Sequence, residues 1–371
     1  MRTQRLFIAS LASAALVLAG CSQGGTNNEE TAKPTETQTA DEGETTGGTA
    51  EKPAPFDQEV RVAVVQQSGQ GDYFQQYLNG TKQQAEALGM KLDVYDAQGN
   101  NATQATQLDQ AIASGVDAII VRHGQTDTLC PGVNDALAKD IAVIIYDVEI
   151  QSCAPDAIQT QQSDAIMASL VLDQMVKDIG TDQKVGYVNV LGIAPLDRRH
   201  AVWEEYKKTN NWDELFFTGT YTNSSATDTA PMVVSALQAN GDVVAIYAPY
   251  DELTKGTLSA IEQVKGAKSD IKVYGADIST ADIELMIAEN SSWKATGATD
   301  PNAIGAAVVR TLALSMAGQL DTKKVEFPPI LITQDFLREN NITNMDELRA
   351  KEPALNIADT SSADWIPSVK F

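Results

Sequence analysis

From Val60 to about residue 334, apolar and polar positions follow two alternating patterns. Short Val/Ile-rich runs at 60–65, 91–95, 118–121 and 142–146 are separated by longer stretches with apolar residues at helical spacing, such as 73–88 and 103–113. A second series has runs at 184–190, 215–219, 243–248 and 271–275, with helical stretches at 165–179, 229–239 and 252–265. A strand and helix at 294–298 and 303–317 come next, then a last strand at 330–332 and a polar tail. The strand–helix unit recurs roughly every 25 residues. Apolar strands joined by helices predict parallel sheet built from βαβ units. The stretch at 151–164 breaks the series in two, so the expected fold is α/β, two doubly wound parallel-sheet lobes.

The chain before Val60 is patterned differently. Arg2 and Arg5 precede an apolar run at 6–19, then Gly20 and Cys21. A basic start, a short apolar run and small residues before a cut define a secretory signal, here residues 1–20. That run is too short to span a bilayer as a helix, which takes roughly 20 residues. Leu18-Ala19-Gly20-Cys21 looks like a bacterial lipobox, making Cys21 the lipidated first residue of the mature chain; an ordinary secreted protein is the alternative. Two acyl chains hold a protein at a membrane stably. Residues 21–57 are rich in Gly, Thr, Glu, Gln, Ser and Pro, with almost no large apolar side chains. Such a segment cannot offset its ordering entropy by burial, and it reads as a disordered tether.

Charge and cysteine content narrow the function classes. The 371 residues carry 27 Lys+Arg against 50 Asp+Glu, a net charge of −23. This disfavours nucleic acid or anionic lipid as a partner, since both need clustered cations. Two His and three Cys leave too few ligands for a closed zinc site, and neither His123 nor His200 has a second ligand at useful spacing. Both read as ordinary loop and helix residues, and no metal or cofactor is expected. With Cys21 lipidated, Cys130 and Cys153 remain as a pair in an oxidising compartment, where a disulfide is the expected state and two buried thiols the alternative.

In doubly wound sheets, ligands bind outside the carboxyl ends of the strands. Those positions hold Tyr73 and Phe74, Arg122 and His123, Asp147, Arg198 and Arg199, Tyr250, Asp277 and Thr299. Charged planar groups that grip hydroxyl pairs, beside aromatic faces for a ring, suit a polyol. Plainer roles stay open: Asp147 and Asp277 as helix caps, Tyr73 and Phe74 as a staple for the first helix, Arg199 as a surface ion-pair partner with Arg198 the contact instead. Trp203 reads as core. No third Gly completes the Gly-x-Gly at Gly69 and Gly71, and no phosphate loop or Gly-x-Ser-x-Gly elbow occurs. An enzyme is therefore not expected.

The order of these signatures resembles the periplasmic sugar-binding proteins of the ribose/galactose type, the type I solute-binding proteins of ABC importers. Tyr73-Phe74 with Gly80 and the run Ala85-Glu86-Ala87-Leu88-Gly89 is similar to the family's first helix. The segments 109–121 and Val143-Ile144-Ile145-Tyr146-Asp147, then Arg199 before Trp203, Tyr250-Asp251, Tyr274-Gly275-Ala276-Asp277 and Gly297-Ala298-Thr299-Asp300-Pro301 resemble the units that follow. Val148, Val202, Tyr250, Ala276 and Thr299 depart from the family's usual residues, which removes a specific assignment to ribose.

The resemblance implies a three-strand hinge with crossings near Gln161, Thr299 and Ile332. It divides the chain into an N-terminal lobe at 58–161 plus 299–332 and a C-terminal lobe at 162–298 plus 333–371. Tyr73, Phe74, Asp147, Arg199, Tyr250, Asp277 and Thr299 become the ligand-binding set. The implied protein is a lipid-anchored, monomeric extracytoplasmic receptor, in the periplasm or on the outer face of the cytoplasmic membrane. It would deliver a small polar solute, a monosaccharide or sugar alcohol, to ABC permease subunits. The alternatives are a receptor for a nucleoside, purine or signalling furanose, and a sensor for a membrane kinase or chemoreceptor.

Overall fold

The computed structural model describes residues 45–46, 50–266 and 269–371. The signal segment, Cys21 and most of the expected tether lie outside the described residues. β1 (Thr45–Thr46) pairs antiparallel with β14 (Ser368–Val369) near the other end of the chain.

The first lobe opens with β2 (Val60–Gln66), α1 (Asp72–Leu88), β3 (Met90–Asp96) and α2 (Asn101–Ala113). It continues through β4 (Ala118–Arg122), α3 (Thr126–Ala138), β5 (Ala142–Tyr146) and β6 (Ile158–Gln162). The second lobe runs α4 (Asp164–Ile179), β7 (Lys184–Val188), α5 (Ala194–Thr209), β8 (Asp213–Thr218), α6 (Ser225–Ala239), β9 (Ala245–Ala248), α7 (Asp251–Lys265), β10 (Lys272–Ala276), α8 (Thr280–Ile287) and β11 (Trp293–Ala298). Then come α9 (Pro301–Met316), β12 (Lys324–Phe327), β13 (Ile330–Thr333), α10 (Gln334–Glu339) and α11 (Met345–Lys351).

Each lobe has a six-stranded sheet, ordered β12-β6-β5-β4-β2-β3 and β13-β11-β10-β9-β7-β8. All pairings are parallel except β13 on β11. Central strands such as β4 are buried along their whole length, as a sheet covered by helices on both faces requires. The two-lobe parallel α/β fold is therefore the one the patterning predicts.

Two helices of the first lobe fit closely enough to depend on glycine. A Cβ at Gly80 would lie 1.9 Å from the Asn302 carbonyl oxygen, and one at Gly305 2.1 Å from that of Tyr77. The contact locks α1 against α9 and so sets where Tyr73 and Phe74 emerge. Cys130 in α3 and Cys153 in the loop after β5 form a disulfide, with Cα atoms 6.1 Å apart.

The lobe crossings differ from expectation in two places. β6 hands the chain to the second lobe at Ser163, and β11 returns it at Thr299–Asp300. The third crossing is at Pro328–Pro329 rather than near Ile332, because β12 joins the first sheet and β13 the second. The tail also does not stay in the second lobe. Leu337, Met345, Leu348 and Leu355 pack there, but Trp365 and Ile366 are buried in the first lobe's core. The anchor is Arg310 of α9, which donates to the carbonyls of Ile357 and Thr360 at 3.0 and 3.1 Å, while Gln84 donates to that of Pro367 at 2.9 Å. The end of the expected tether joins the fold as well: Phe56 is buried against Trp365, ring centroids 5.1 Å apart, and Lys52 donates to the Leu88 carbonyl at 2.7 Å.

Candidate functional site

The carboxyl ends of both sheets face one cleft, and three strand-end residues there hold left-handed backbone: His123 after β4 (φ 53°), Asp147 after β5 (φ 55°) and Asp277 after β10 (φ 71°). Asp tolerates that region better than most residues, and such strain tends to collect at functional sites. Each amide extends the neighbouring ladder by one bond, to the carbonyls of Tyr146, Thr160 and Gly297 at 2.8–3.0 Å. The sheets thus aim these side chains.

Between the lobes lies a cavity of about 40 Å³, bounded by Tyr73, Phe74 and His123 of the first lobe and Gln162 of the hinge. Ile193, Pro195, Leu196, Arg199, Tyr221, Tyr250 and Asp277 of the second lobe complete it. Of the seven expected ligand residues, Tyr73, Phe74, Arg199, Tyr250 and Asp277 meet on this wall. Asp147 stands one layer back, with its Oδ2 3.7 Å from His123 Nε2. Thr299 also stands behind the wall, its hydroxyl donating to Gln162 Oε1 at 2.6 Å. Gln162, and not Thr299, forms that part of the cavity wall.

The two adjacent arginines divide the work. Arg199 donates through Nε to Asp164 Oδ1 at 2.7 Å and through Nη1 to the Pro249 carbonyl at 2.6 Å, with Asp277 Oδ2 3.6 Å away. Arg198 donates to Asp164 Oδ2 at 2.8 Å, and it reaches across the cleft to Asp147 Oδ1 at 2.7 Å and to Glu149. Asp164, which no strand-end inspection selects, therefore anchors both guanidinium groups from the first turn of α4. Other bonds tie the lobes together: Tyr221 to Gln67 at 3.1 Å, Asn223 to the Gln98 carbonyl at 2.9 Å, and Lys255 to Asp72 at 3.1 Å.

Burial dominates the electrostatics. It raises the Asp147 carboxyl to about 7, helped by the neighbouring charge of Asp164 and opposed by Arg198 and Arg199. Burial raises Asp277 too, against the pull of Arg199. His123 is pushed well below the usual imidazole value by burial and then by Arg122, Arg198 and Arg199, so it is neutral. Buried atoms here lack a protein hydrogen-bond partner, among them Asp147 Oδ2, Asp277 Oδ1 and His123 Nδ1. A buried acceptor of this kind is costly unless something donates to it. The hydroxyls of Tyr73 and Tyr146 bond each other, and Tyr146 stacks on Tyr77 at 4.8 Å.

Sequence reasoning missed several of these residues. His123, read as an ordinary loop residue, lines the cavity; its position straight after a strand is the same signal that marked Asp147. Gln162 was hidden because β6, with the sequence Ile-Gln-Thr-Gln-Gln, does not look like a buried strand. Its glutamines are buried because each finds partners, as in Gln161 donating to Glu326 at 3.1 Å. His200 lies away from the cavity, stacked on Tyr187 at 5.7 Å, and Trp203 is fully buried core. Among the described residues, no cluster of three or more His, Cys, Asp or Glu is arranged to hold a metal ion, and no helix is long and apolar enough to cross a membrane.

A family model described as a periplasmic binding protein domain matches residues 62–320. Among solved structures, the chain is similar to a 5-methylthioribose transporter solute binding protein from Thermotoga lettingae, in complex with 5-methylthioribose. The TM-score is 0.79 at 36% identity, over 83% of this chain and 97% of that one. A sugar ABC transporter structure from Yersinia enterocolitica gives a TM-score of 0.81 at 30% identity, over 85% and 97%. Among curated proteins, the ribose import binding protein of Escherichia coli is 25% identical over 267 residues, 70% of this chain and 85% of that protein.

Proposed function

The chain belongs to the periplasmic binding protein family, among the ribose-type solute-binding proteins of sugar ABC transporters, and from that premise we propose that it captures an uncharged monosaccharide or sugar alcohol and delivers it to the permease of an ABC importer. It acts outside the cytoplasm, held to the membrane by lipid on Cys21. The observation that carries this reading is the cavity wall. Arg199, Asp277 and Gln162 offer paired donors and acceptors for hydroxyls, and Phe74, Tyr73, Tyr221 and Tyr250 offer ring faces. Arg199 is balanced by Asp164 and Asp277, so the site calls for no net ligand charge.

The mechanism follows from the interlobe bonds. The cavity is far below the roughly 300–1,000 Å³ of ordinary ligand pockets, so the lobes must part to admit a solute and side chains must shift as they close on it. Closure restores Arg198 to Asp147 and Glu149, and Tyr221 to Gln67. The solute favours the closed form through contacts made only when both lobes meet it.

A second reading, a nucleoside or substituted furanose, is favoured by the apolar run of Ile193, Pro195 and Leu196 on the wall and by the ligand of the Thermotoga lettingae relative. A thermal-shift screen against pentoses, hexoses, polyols, nucleosides and 5-methylthioribose tests both, since a ligand bound only to the native state raises the melting temperature. Shifts by hexoses or polyols alone would discard the second reading. No shift by any sugar would discard the first.

A further inference from the structure

One lysine outside the cavity wall ties together three of the segments that build it. Lys255 of α7 places Nζ 2.8 Å from Glu252 Oε1, 3.1 Å from Asp72 Oδ2, 3.2 Å from Asp251 Oδ2 and 3.2 Å from Asp282 Oδ1. Asp72 opens α1 and directly precedes Tyr73 and Phe74, Asp251 opens α7 directly after Tyr250, and Asp282 lies in the first turn of α8, shortly after Asp277. Ser279, the N-cap of α8, donates to the same Asp72 oxygen at 3.4 Å. Only Asp72 belongs to the first lobe, so parting the lobes takes one carboxylate away from a cluster that otherwise stays whole. Charge makes this contact depend on the lysine. Burial works against the charge of Lys255, but Asp251, Asp282 and Glu252 outweigh it and raise its pKa, so the ammonium stays protonated. The N-terminal ends of α1, α7 and α8 add partial positive charge. Without the ammonium, closure would press the Asp72 carboxylate onto three others, and like charges juxtaposed across an interface cost affinity.

We propose that Lys255 is a positioning residue for solute capture: it touches no ligand, and it sets how readily the lobes close by neutralising the carboxylates that Asp72 meets at closure. The inference rests on the reading of the chain as a binding protein whose lobes close over a solute. A residue of this kind changes the closed fraction and so scales the affinity for every solute by one factor, whereas a wall residue discriminates among solutes.

Calorimetry on the full-length protein with ribose, 5-methylthioribose, glucose and sorbitol tests it. In Lys255→Met, every probe that binds the unmodified protein should lose affinity by the same factor, about thirtyfold or more. Adding Asp72→Asn removes the first-lobe charge and should bring affinity back to within about fivefold of the original. Thermal unfolding checks that the variants fold. If Lys255→Met does not, Asp282→Asn is added to remove the buried carboxylate it strands, and the comparison with and without Asp72→Asn is made in that background. Unchanged affinity, a loss that differs several-fold among probes, or a loss that Asp72→Asn leaves in place would each overturn the proposal. If none of the probes binds, the sugar-binding reading falls, and the lysine is decided without ligand. Pulsed electron resonance between spin labels at Glu86→Cys of α1 and Gln263→Cys of α7, both exposed positions, then reads the separation of the lobes. Lys255→Met should shift it to longer distances and Asp72→Asn should reverse the shift; no shift would overturn the proposal.

Discussion

Arg122 of the first lobe and Arg199 of the second both sit near a strand's carboxyl end, and both are almost completely buried. Their surroundings differ. Arg122 donates to the backbone carbonyls of Phe74 and Ser68 at 3.0 and 2.6 Å, and its guanidinium lies 5.1 and 4.7 Å from the ring centres of Phe74 and Tyr77. No carboxylate among the described residues pairs with it, and burial lowers its pKa. Arg199 instead meets Asp164 and Asp277 and borders the cavity. One buried cation shapes the loop and helix that carry the cleft aromatics; the other belongs to the wall of the interlobe cavity. Position after a strand marks a residue as near the cleft, and its partners decide which of the two tasks it performs.

The largest expected effect tests that distinction through stability. Arg199→Met should destabilise the protein by about 3–5 kcal/mol, because Asp277 loses its counter-charge and Asp164 keeps only Arg198. Arg122→Met should cost less, about 2–3 kcal/mol, since it strands only carbonyl acceptors. Urea unfolding of both variants measures the difference, and an equal or larger loss for Arg122→Met would erase the comparison.

Affinity sharpens it next. Once a ligand is identified, Asp277→Ala should weaken binding by about ten- to hundred-fold, the loss of bonds worth about 1.5–3 kcal/mol to a charged group. Asp147→Ala should lose less, within about tenfold, because Asp147 acts through His123 and Arg198 from behind the wall. Calorimetry showing the reverse order would move the ligand toward the first lobe.

The smallest effect is a pH slope. The folded-state pKa of Asp147, about 7, lies above its ordinary value. Relative to the unfolded chain, its contribution to stability is complete below about pH 4 and is lost as pH rises through about 7. Asp282, raised to about 6 by burial, acts in the same direction. The melting temperature should therefore fall between pH 5 and pH 8, and Asp147→Asn should flatten the upper part of that fall. An unchanged slope in the variant would mean that the carboxyl is not held in this buried environment.

Much of this molecule is visible in the order of its residues. Val/Ile runs such as Val60–Gln66 and Ala118–Arg122 are strands wherever helices cover both faces, so two lobes and the location of the cleft follow from periodicity. Tyr73, Phe74, Arg199, Tyr250 and Asp277 were selected by that rule and meet at one cavity. β6 was invisible because buried glutamines are stable only with partners such as Glu326 and Thr299, more than 130 residues away in the chain. The return of the tail to the first lobe was invisible for a similar reason: Trp365 and Ile366 form no periodic pattern, and the carbonyls that Arg310 binds carry no side-chain signature.

By itself, then, the sequence determined the βαβ layers, the two series of strands and the face onto which the strand ends of both lobes open. These depend on local periodicity and on the positions of strand ends. Only the tertiary structure decided that Asp164 holds both arginines, that Gln162 rather than Thr299 reaches the wall, and that His123 joins it as a neutral group. Each of those outcomes depends on a partner supplied by a distant segment, and a buried polar side chain takes its role from the partner that satisfies it.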